Sequence, residues 1–236
     1  MKIHIGDRLG SKYDYLRYYV PFNAKTLIKL RYIEYETLRE RMYETHSQFI
    51  PKKGDVVYDV GANYGNYSLI WTKLYGAKVI AFEPLEENYF KAQRNFAINS
   101  GANIILYNLA VGNKNGTIKT NIDGNMMSVQ GSVHSSMKMI KLDDYILSED
   151  EQPVIDIMKI DIEGYEFEAL MGMSRILSDV KPKIIIETHS SDLMVGCFSY
   201  LQDFGYEMEY IQNQRFGNGK FDLVAESFWM NEDGIK

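Results

Sequence analysis

The sequence predicts an α/β fold in which a seven-stranded, mostly parallel sheet carries helices on both faces. Three observations predict it. Strand-like apolar runs alternate with helical ones from residue 54 to about Glu226, the pattern of a parallel sheet covered on both sides. A glycine-rich turn follows the first of these runs directly and opens a helix. The last two runs are separated only by Gln212–Lys220, too short for a crossover helix, so they must close an antiparallel hairpin.

The strands are expected at Val56–Val60, Lys78–Phe82, Ile104–Asn108, Ile155–Ile160, Lys183–Glu187, Tyr206–Ile211 and Phe221–Ala225. Helices are expected near Tyr67–Leu74, Glu86–Asn99, Glu166–Leu177 and Asp192–Phe204. Between the third and fourth strands, Gly112–Lys141 reads as an irregular stretch rich in Ser, Met and Gly, with an extra strand at Thr117–Thr120 and His134 in a polar loop. Its length suggests a lid that faces the substrate.

Ahead of this domain, residues 1–53 read as an N-terminal arm. Leu27, Leu30, Ile33, Leu38 and Met42 recur at helical spacing between Pro21 and Phe49, which predicts a helical cap, and Pro51–Gly54 forms a turn into the domain at 54–236. The arm holds 11 Lys and Arg against 6 Asp and Glu, so it carries +5, and the rest of a −6 chain carries −11. Its seven tyrosines can pack on the acidic body and leave the lysines in water. An acidic body disfavours direct nucleic-acid binding, which needs clustered cations.

At 45% hydrophobic and 25% charged residues, the composition is that of a globular domain. A single cysteine, Cys197, forms no internal disulfide and cannot begin a thiolate zinc site, so a cytoplasmic protein is expected. No run approaches the roughly 18 uncharged apolar residues of a membrane span, and the start lacks the apolar core of a signal peptide. The composition leaves oligomeric state open.

The turn Asp59-Val60-Gly61-Ala62-Asn63-Tyr64-Gly65-Asn66 has the setting of a nucleoside-cofactor site, Rossmann-like in character. A dinucleotide fingerprint would place a glycine at Asn63, where a pyrophosphate passes close to the backbone. The spacing here is G-x-x-x-G, which suits a cofactor without pyrophosphate, such as S-adenosylmethionine. Its amino group would face Asp59 and its carboxylate the helix N-terminus. About twenty residues on, Glu83 ends the second strand, where a carboxylate accepts both ribose hydroxyls. Pro84 stops that strand, and Asn108, Leu109 and Ala110 end the third, where they can frame the adenine edge.

Taken together, YDVGANYGNYS, VIAFEPLEENY, NLAVGNKNGT, IKLDDYI and IMKIDIEGYEFEALMG resemble the FkbM family of S-adenosylmethionine-dependent methyltransferases, over about Val56 to His189. The resemblance implies methyl transfer, usually to oxygen, on a sugar, glycan or other small metabolite. It does not extend to the arm or to the chain after His189, so it leaves the acceptor unnamed. The rival readings are a nicotinamide-dependent oxidoreductase and a domain that binds cofactor without turnover.

For an alcohol acceptor, a methyltransferase aligns donor and acceptor and removes a proton. Candidate groups belong at the carboxyl ends of the middle strands, where open α/β sheets bind ligands. Lys159, Asp161 and Glu163 alternate there and can share a face. Asp161 leads, as a contact for the cofactor's amino group or for the acceptor hydroxyl. Lys159 is either a base or half of a buried ion pair with Asp161 or Glu187. Glu187 and His189 end the neighbouring strand, and histidine suits proton removal near neutral pH. Asp161, Glu163, Glu187 and His189 could instead hold Mg²⁺ or Mn²⁺ against a vicinal diol. No metal is assigned at this stage, because the sequence does not establish that these side chains converge.

Overall fold

The computed structural model describes residues 2–4, 17–19, 49–123, 126–128, 133–146, 153–212 and 225–231. In chain order the strands are β1 (Lys2–His4), β2 (Arg17–Tyr19), β3 (Val56–Val60), β4 (Lys78–Phe82), β5 (Ile104–Tyr107), β6 (Ala110–Val111) and β7 (Gly116–Asp123). They continue as β8 (Met126–Ser128), β9 (Val133–Ile140), β10 (Ile157–Ile160), β11 (Lys183–Thr188), β12 (Tyr206–Gln212) and β13 (Ala225–Asn231). The helices are α1 (Asn66–Tyr75), α2 (Glu86–Ile98), α3 (Leu142–Ile146), α4 (Glu166–Met171) and α5 (Ser191–Gln202).

Five strands run parallel in the order β11-β10-β3-β4-β5, the frame of an α/β methyltransferase fold. The central strands β3 and β10 are covered on both faces, which explains their near-continuous Val, Ile and Met content. The two charged residues in these strands, Asp59 and Lys159, sit side by side across the β3/β10 register. At the far edge β13 pairs antiparallel with β11, and β12 pairs with β13. The last strand is described over Ala225–Asn231; the expected start at Phe221 falls on 213–224, which lie outside the described residues.

One face of the sheet packs Val57, Val79, Ile157 and Ile185 beneath Trp71 of α1 and Phe49. Phe49, fully buried, anchors the end of the N-terminal arm in that layer. The helical cap expected over Pro21–Phe49 falls on residues 21–48, which lie outside the described residues. The other face carries Tyr58, Val60, Met158 and Ile160 against α4 and α5, with Cys197 buried among them.

Two expectations are corrected. The stretch Gly112–Lys141 is not irregular: β6, β9, β7 and β8 form a separate small sheet in that order, and the strand expected at Thr117–Thr120 lies within β7. Along it Ile118, Met137 and Met139 are buried, while Thr117, Lys119, Ser136 and Lys138 are exposed. This period of two was masked by the polar, Ser-rich composition. The buried side chains pack on Leu85, Ala110 and Tyr165, which docks the small sheet at the carboxyl edge of the main one. His134 stands on β9 opposite Asn121, not in a loop; its side chain is outside the described residues.

The helix expected over Glu166–Leu177 is also interrupted. It ends at Met171 with Gly172 as its C-cap, at a close approach where a Cβ would lie 1.9 Å from the Gly112 carbonyl oxygen. A π-helical turn follows at Ile176–Val180, started by Asp143, whose carboxylate accepts the Arg175 and Ile176 amides at 2.9 and 3.0 Å. No helix among the described residues is long and apolar enough to cross a membrane.

Candidate active site

The turn after β3 is shaped by left-handed backbone at Gly61 (φ 85°), Asn63 (φ 52°) and Gly65 (φ 78°). Asparagine is among the few side-chain residues that adopt this region readily, so the missing glycine still permits the turn. Both flanking glycines are demanded by packing within the chain. A Cβ at position 61 would lie 1.8 Å from the Asp161 carbonyl oxygen, and one at 65 would lie 2.2 Å from the Phe96 ring. The Gly61 and Ala62 amides donate to the Phe82 carbonyl, both at 3.0 Å, which ties the turn to the end of β4. Asn66 then opens α1.

Glu83 joins the same frame. Its Oε2 accepts the Asn63 amide at 2.7 Å and its Oε1 the Leu85 amide at 2.9 Å. The residue is only 4% exposed. Burial pushes its carboxyl up to about 7, against the opposing pull of the Leu85 and Asn63 amides. Asn108 turns its side-chain amide onto the Glu83 and Pro84 carbonyls at 2.9 and 3.0 Å, so it clamps the ends of β4 and β5. Gly61, Pro84, Ala110 and Tyr165 line a small pocket at these strand ends.

Lys159 holds the turn from below. Its Nζ donates to the Gly61 carbonyl at 2.6 Å and lies 3.2 Å from Asp59 Oδ1 and 3.4 Å from Asp161 Oδ2. Ser68 donates to the other Asp59 oxygen at 2.6 Å, and Asp59 is 1% exposed. Burial works against the lysine's charge, but Asp59 and Asp161 outweigh it and raise its pKa. These two carboxylates favour the ammonium form of the lysine.

Beyond Asp161, His189 stands among four carboxylates. Its Nδ1 lies 2.9 Å from Glu166 Oε1; its Nε2 lies 3.2 Å from Glu163, 3.8 Å from Asp161 and 3.9 Å from Glu187. Burial opposes the imidazolium, yet the Glu166 hydrogen bond and the Asp161 charge carry its pKa up to about 10. Glu163 sits on left-handed backbone (φ 57°), and desolvation raises its carboxyl to about 7 although His189 pulls the other way. Thus Lys159, Asp161, Glu187 and His189 converge, and Asp59 joins them through Lys159.

The sequence matches the description "Methyltransferase FkbM domain" over residues 59–208, more than half of the chain. The chain belongs to the FkbM methyltransferase family. It is 28% identical over 151 residues to the hexuronic acid methyltransferase AglP of Haloferax volcanii, covering 59% of this chain and 58% of that one. It is 27% identical over 234 residues to methyltransferase sdnD of Sordaria araneosa, covering 83% and 87%. Among solved structures, the methyltransferase FkbM of Methylobacillus flagellatus KT superposes with a TM-score of 0.59 at 21% identity, over 83% of this chain and 47% of that one. This chain thus spans less than two thirds of AglP and of the Methylobacillus protein.

Within this FkbM domain the residue that sequence reasoning missed is Glu166. It was visible only as an acid in a helix's first turn, where its ordinary service is to the helix dipole. Folding instead buries it completely, and its Oε1 accepts the Gly164 amide at 2.9 Å besides facing His189. Its partnership stabilises the folded state fully below the ordinary histidine pKa near 6.5, and this contribution is lost as pH climbs through about 10. Glu166→Gln should therefore move the His189 titration, followed by NMR of the ring, down toward the ordinary range and cost about 2 kcal/mol near neutral pH. An unmoved titration would remove Glu166 from this role.

Proposed function

We propose that this domain transfers a methyl group from S-adenosylmethionine to a hydroxyl of a sugar or other small acceptor. The observation that carries the reading is the joined frame of the Gly61–Gly65 turn and the buried Glu83 carboxylate at the ends of adjacent parallel strands. Bound there, S-adenosylmethionine would supply an electrophilic methyl group. Glu83 would take the ribose hydroxyls, and Pro84, Asn108 and Ala110 would flank the base. The α1 N-terminus at Asn66 would favour the methionine carboxylate.

Asp161 is the natural partner of the methionine amino group, since it is half-buried and Asp59 is enclosed by Lys159 and Ser68. Asp59 and Lys159 then act by holding the turn. The acceptor proton passes to Glu163, whose carboxyl is raised to about 7, while the neighbouring His189 imidazolium, 3.2 Å away, steadies that carboxylate. The hexuronic acid methyltransferase among the relatives supports a sugar acceptor. Both curated relatives are methyltransferases, and Asn63 at the pyrophosphate position speaks against a nicotinamide cofactor.

Calorimetry with S-adenosylhomocysteine tests the reading. Binding is expected, and Glu83→Gln should weaken it roughly 10- to 100-fold, the loss of a charged hydrogen-bond acceptor. Because only the ionised carboxylate accepts from both ribose hydroxyls, wild-type affinity should rise between pH 6 and pH 8, through the Glu83 midpoint of about 7. The variant should show a flat profile. A response to NADH with none to S-adenosylhomocysteine would reverse the assignment. Transfer of labelled methyl to a panel of sugars and uronic acids would then identify the acceptor.

A further inference from the structure

We propose that Asp161, Glu187 and His189 form a binding site for one divalent cation of the Mg²⁺ and Mn²⁺ class, positioned to bind the acceptor through two of its oxygens. The placement is the first support. One ligand atom from each residue lies within 4.8 Å of the other two, and His189 Nε2 stands 3.8 Å from Asp161 and 3.9 Å from Glu187. Ligands of an octahedral cation of this size are separated by roughly 3 Å when adjacent and roughly 4.3 Å when opposite. The separations of 3.8 and 3.9 Å fall between these two values and the outer bound of 4.8 Å exceeds both, so the side chains would draw in on a bound ion. They sit at the carboxyl ends of β10 and β11, paired parallel strands in which Lys159 and Ile160 register with Ile185 and Ile186.

The second support is the tautomer. Nδ1 faces the Glu166 carboxylate at 2.9 Å and keeps its ring proton there, whereas Nε2 faces Glu163, Asp161 and Glu187 and is the nitrogen that a cation can take once its proton leaves. Metal-bound histidines use this arrangement, a carboxylate behind the ring that fixes its orientation and raises its basicity. Glu166 is 0% exposed, and its Oε2 is buried with no hydrogen-bond partner among the described residues. A buried carboxylate in that condition needs positive charge nearby.

Charge is the third support. Among the described residues, the linked ion pairs bring together five carboxylates, Asp59, Asp161, Glu163, Glu166 and Glu187, with two basic groups, Lys159 and His189. A divalent cation, entering as the Nε2 proton leaves to solvent, reduces that excess. One imidazole with two carboxylates is an oxygen-dominated donor set, which favours the harder ions. Three protein ligands leave three positions of an octahedron. Two of them suit a vicinal diol or a hydroxy-carboxylate, whose hydroxyl proton becomes easier to remove on the cation. This role for the acceptor rests on the methyl-transfer reading; binding of the cation does not.

The test uses the full chain stripped with chelator, titrated with Mn²⁺ and followed by the free-ion electron paramagnetic resonance signal. One saturable site per chain at sub-millimolar Mn²⁺ is expected, displaced by excess Mg²⁺. Glu187→Gln, His189→Gln and, behind the ring, Glu166→Gln should each weaken it roughly tenfold or more, with circular dichroism reporting that the variants fold. No saturable binding up to several millimolar Mn²⁺, or binding unchanged in the folded variants, would overturn the proposal. S-adenosylhomocysteine calorimetry on the same sample separates the two readings: lost nucleoside binding with intact Mn²⁺ binding counts against methyl transfer alone.

Discussion

Lys159→Met is expected to cost about 3–5 kcal/mol of folding stability, as the break-up of a buried ion pair does. Three acceptors converge on this one ammonium: the Gly61 carbonyl, Asp59 and Asp161. Methionine fills most of the volume but leaves Asp59 as a charge 1% exposed, with the Ser68 hydroxyl as its remaining side-chain partner among the described residues. The lysine's pKa is raised, so the ammonium is present across the neutral range and its loss is felt throughout. Against a typical total of about 5–15 kcal/mol, the variant approaches the limit of folding. Urea denaturation measures the loss. Asp59→Asn combined with Lys159→Met should recover part of it, because the stranded charge is then gone. A loss below about 1 kcal/mol for the single variant would show that the pair is well solvated and not the buried hub described above.

Gly61→Ala should be nearly as severe and should abolish cofactor binding. Left-handed backbone costs an alanine about 1–2 kcal/mol by itself. The new methyl would also meet the Asp161 carbonyl oxygen at 1.8 Å, and that atom belongs to the backbone at the end of β10, which cannot swing aside. Strand ends must separate, with a combined cost on the order of 4 kcal/mol. Gly101→Ala is the control. It shares the positive φ, at 76°, yet nothing lies within 4 Å of its would-be Cβ, so it should pay only the backbone term. If the two variants melt together, close strand approach does not govern the turn.

These two residues also mark the boundary of what sequence reasoning reaches. The glycine turn, the run of parallel strands and the edge strands were legible because local signals and global fold agree there: apolar runs end at Gly or Pro, and helices begin where the pattern changes period. Gly61 was legible as a glycine, but its reason was not. It reads as room for a ligand, whereas the nearest atom in the fold is the chain's own carbonyl at Asp161. Of the small sheet only the strand at Thr117–Thr120 was legible; β8 and β9 escaped because the alternation runs through serines, threonines and lysines on one side, so composition spoke louder than period.

The candidate site divides in the same way. Lys159 and Asp161 share a face by the strand period alone, as do Glu187 and His189, and the sequence by itself determined both pairs. That Lys159 pairs with Asp59, across a register linking residues a hundred positions apart, was decided only in three dimensions. So was the burial of Glu166 behind His189, since a helix's first acid normally faces water. The sequence determined which chemistry stands at which strand end, because alternation and turn geometry are local. Only the tertiary structure decided which charges are neighbours and which are shut away from water, because register and burial depend on the packing of strands far apart in the chain.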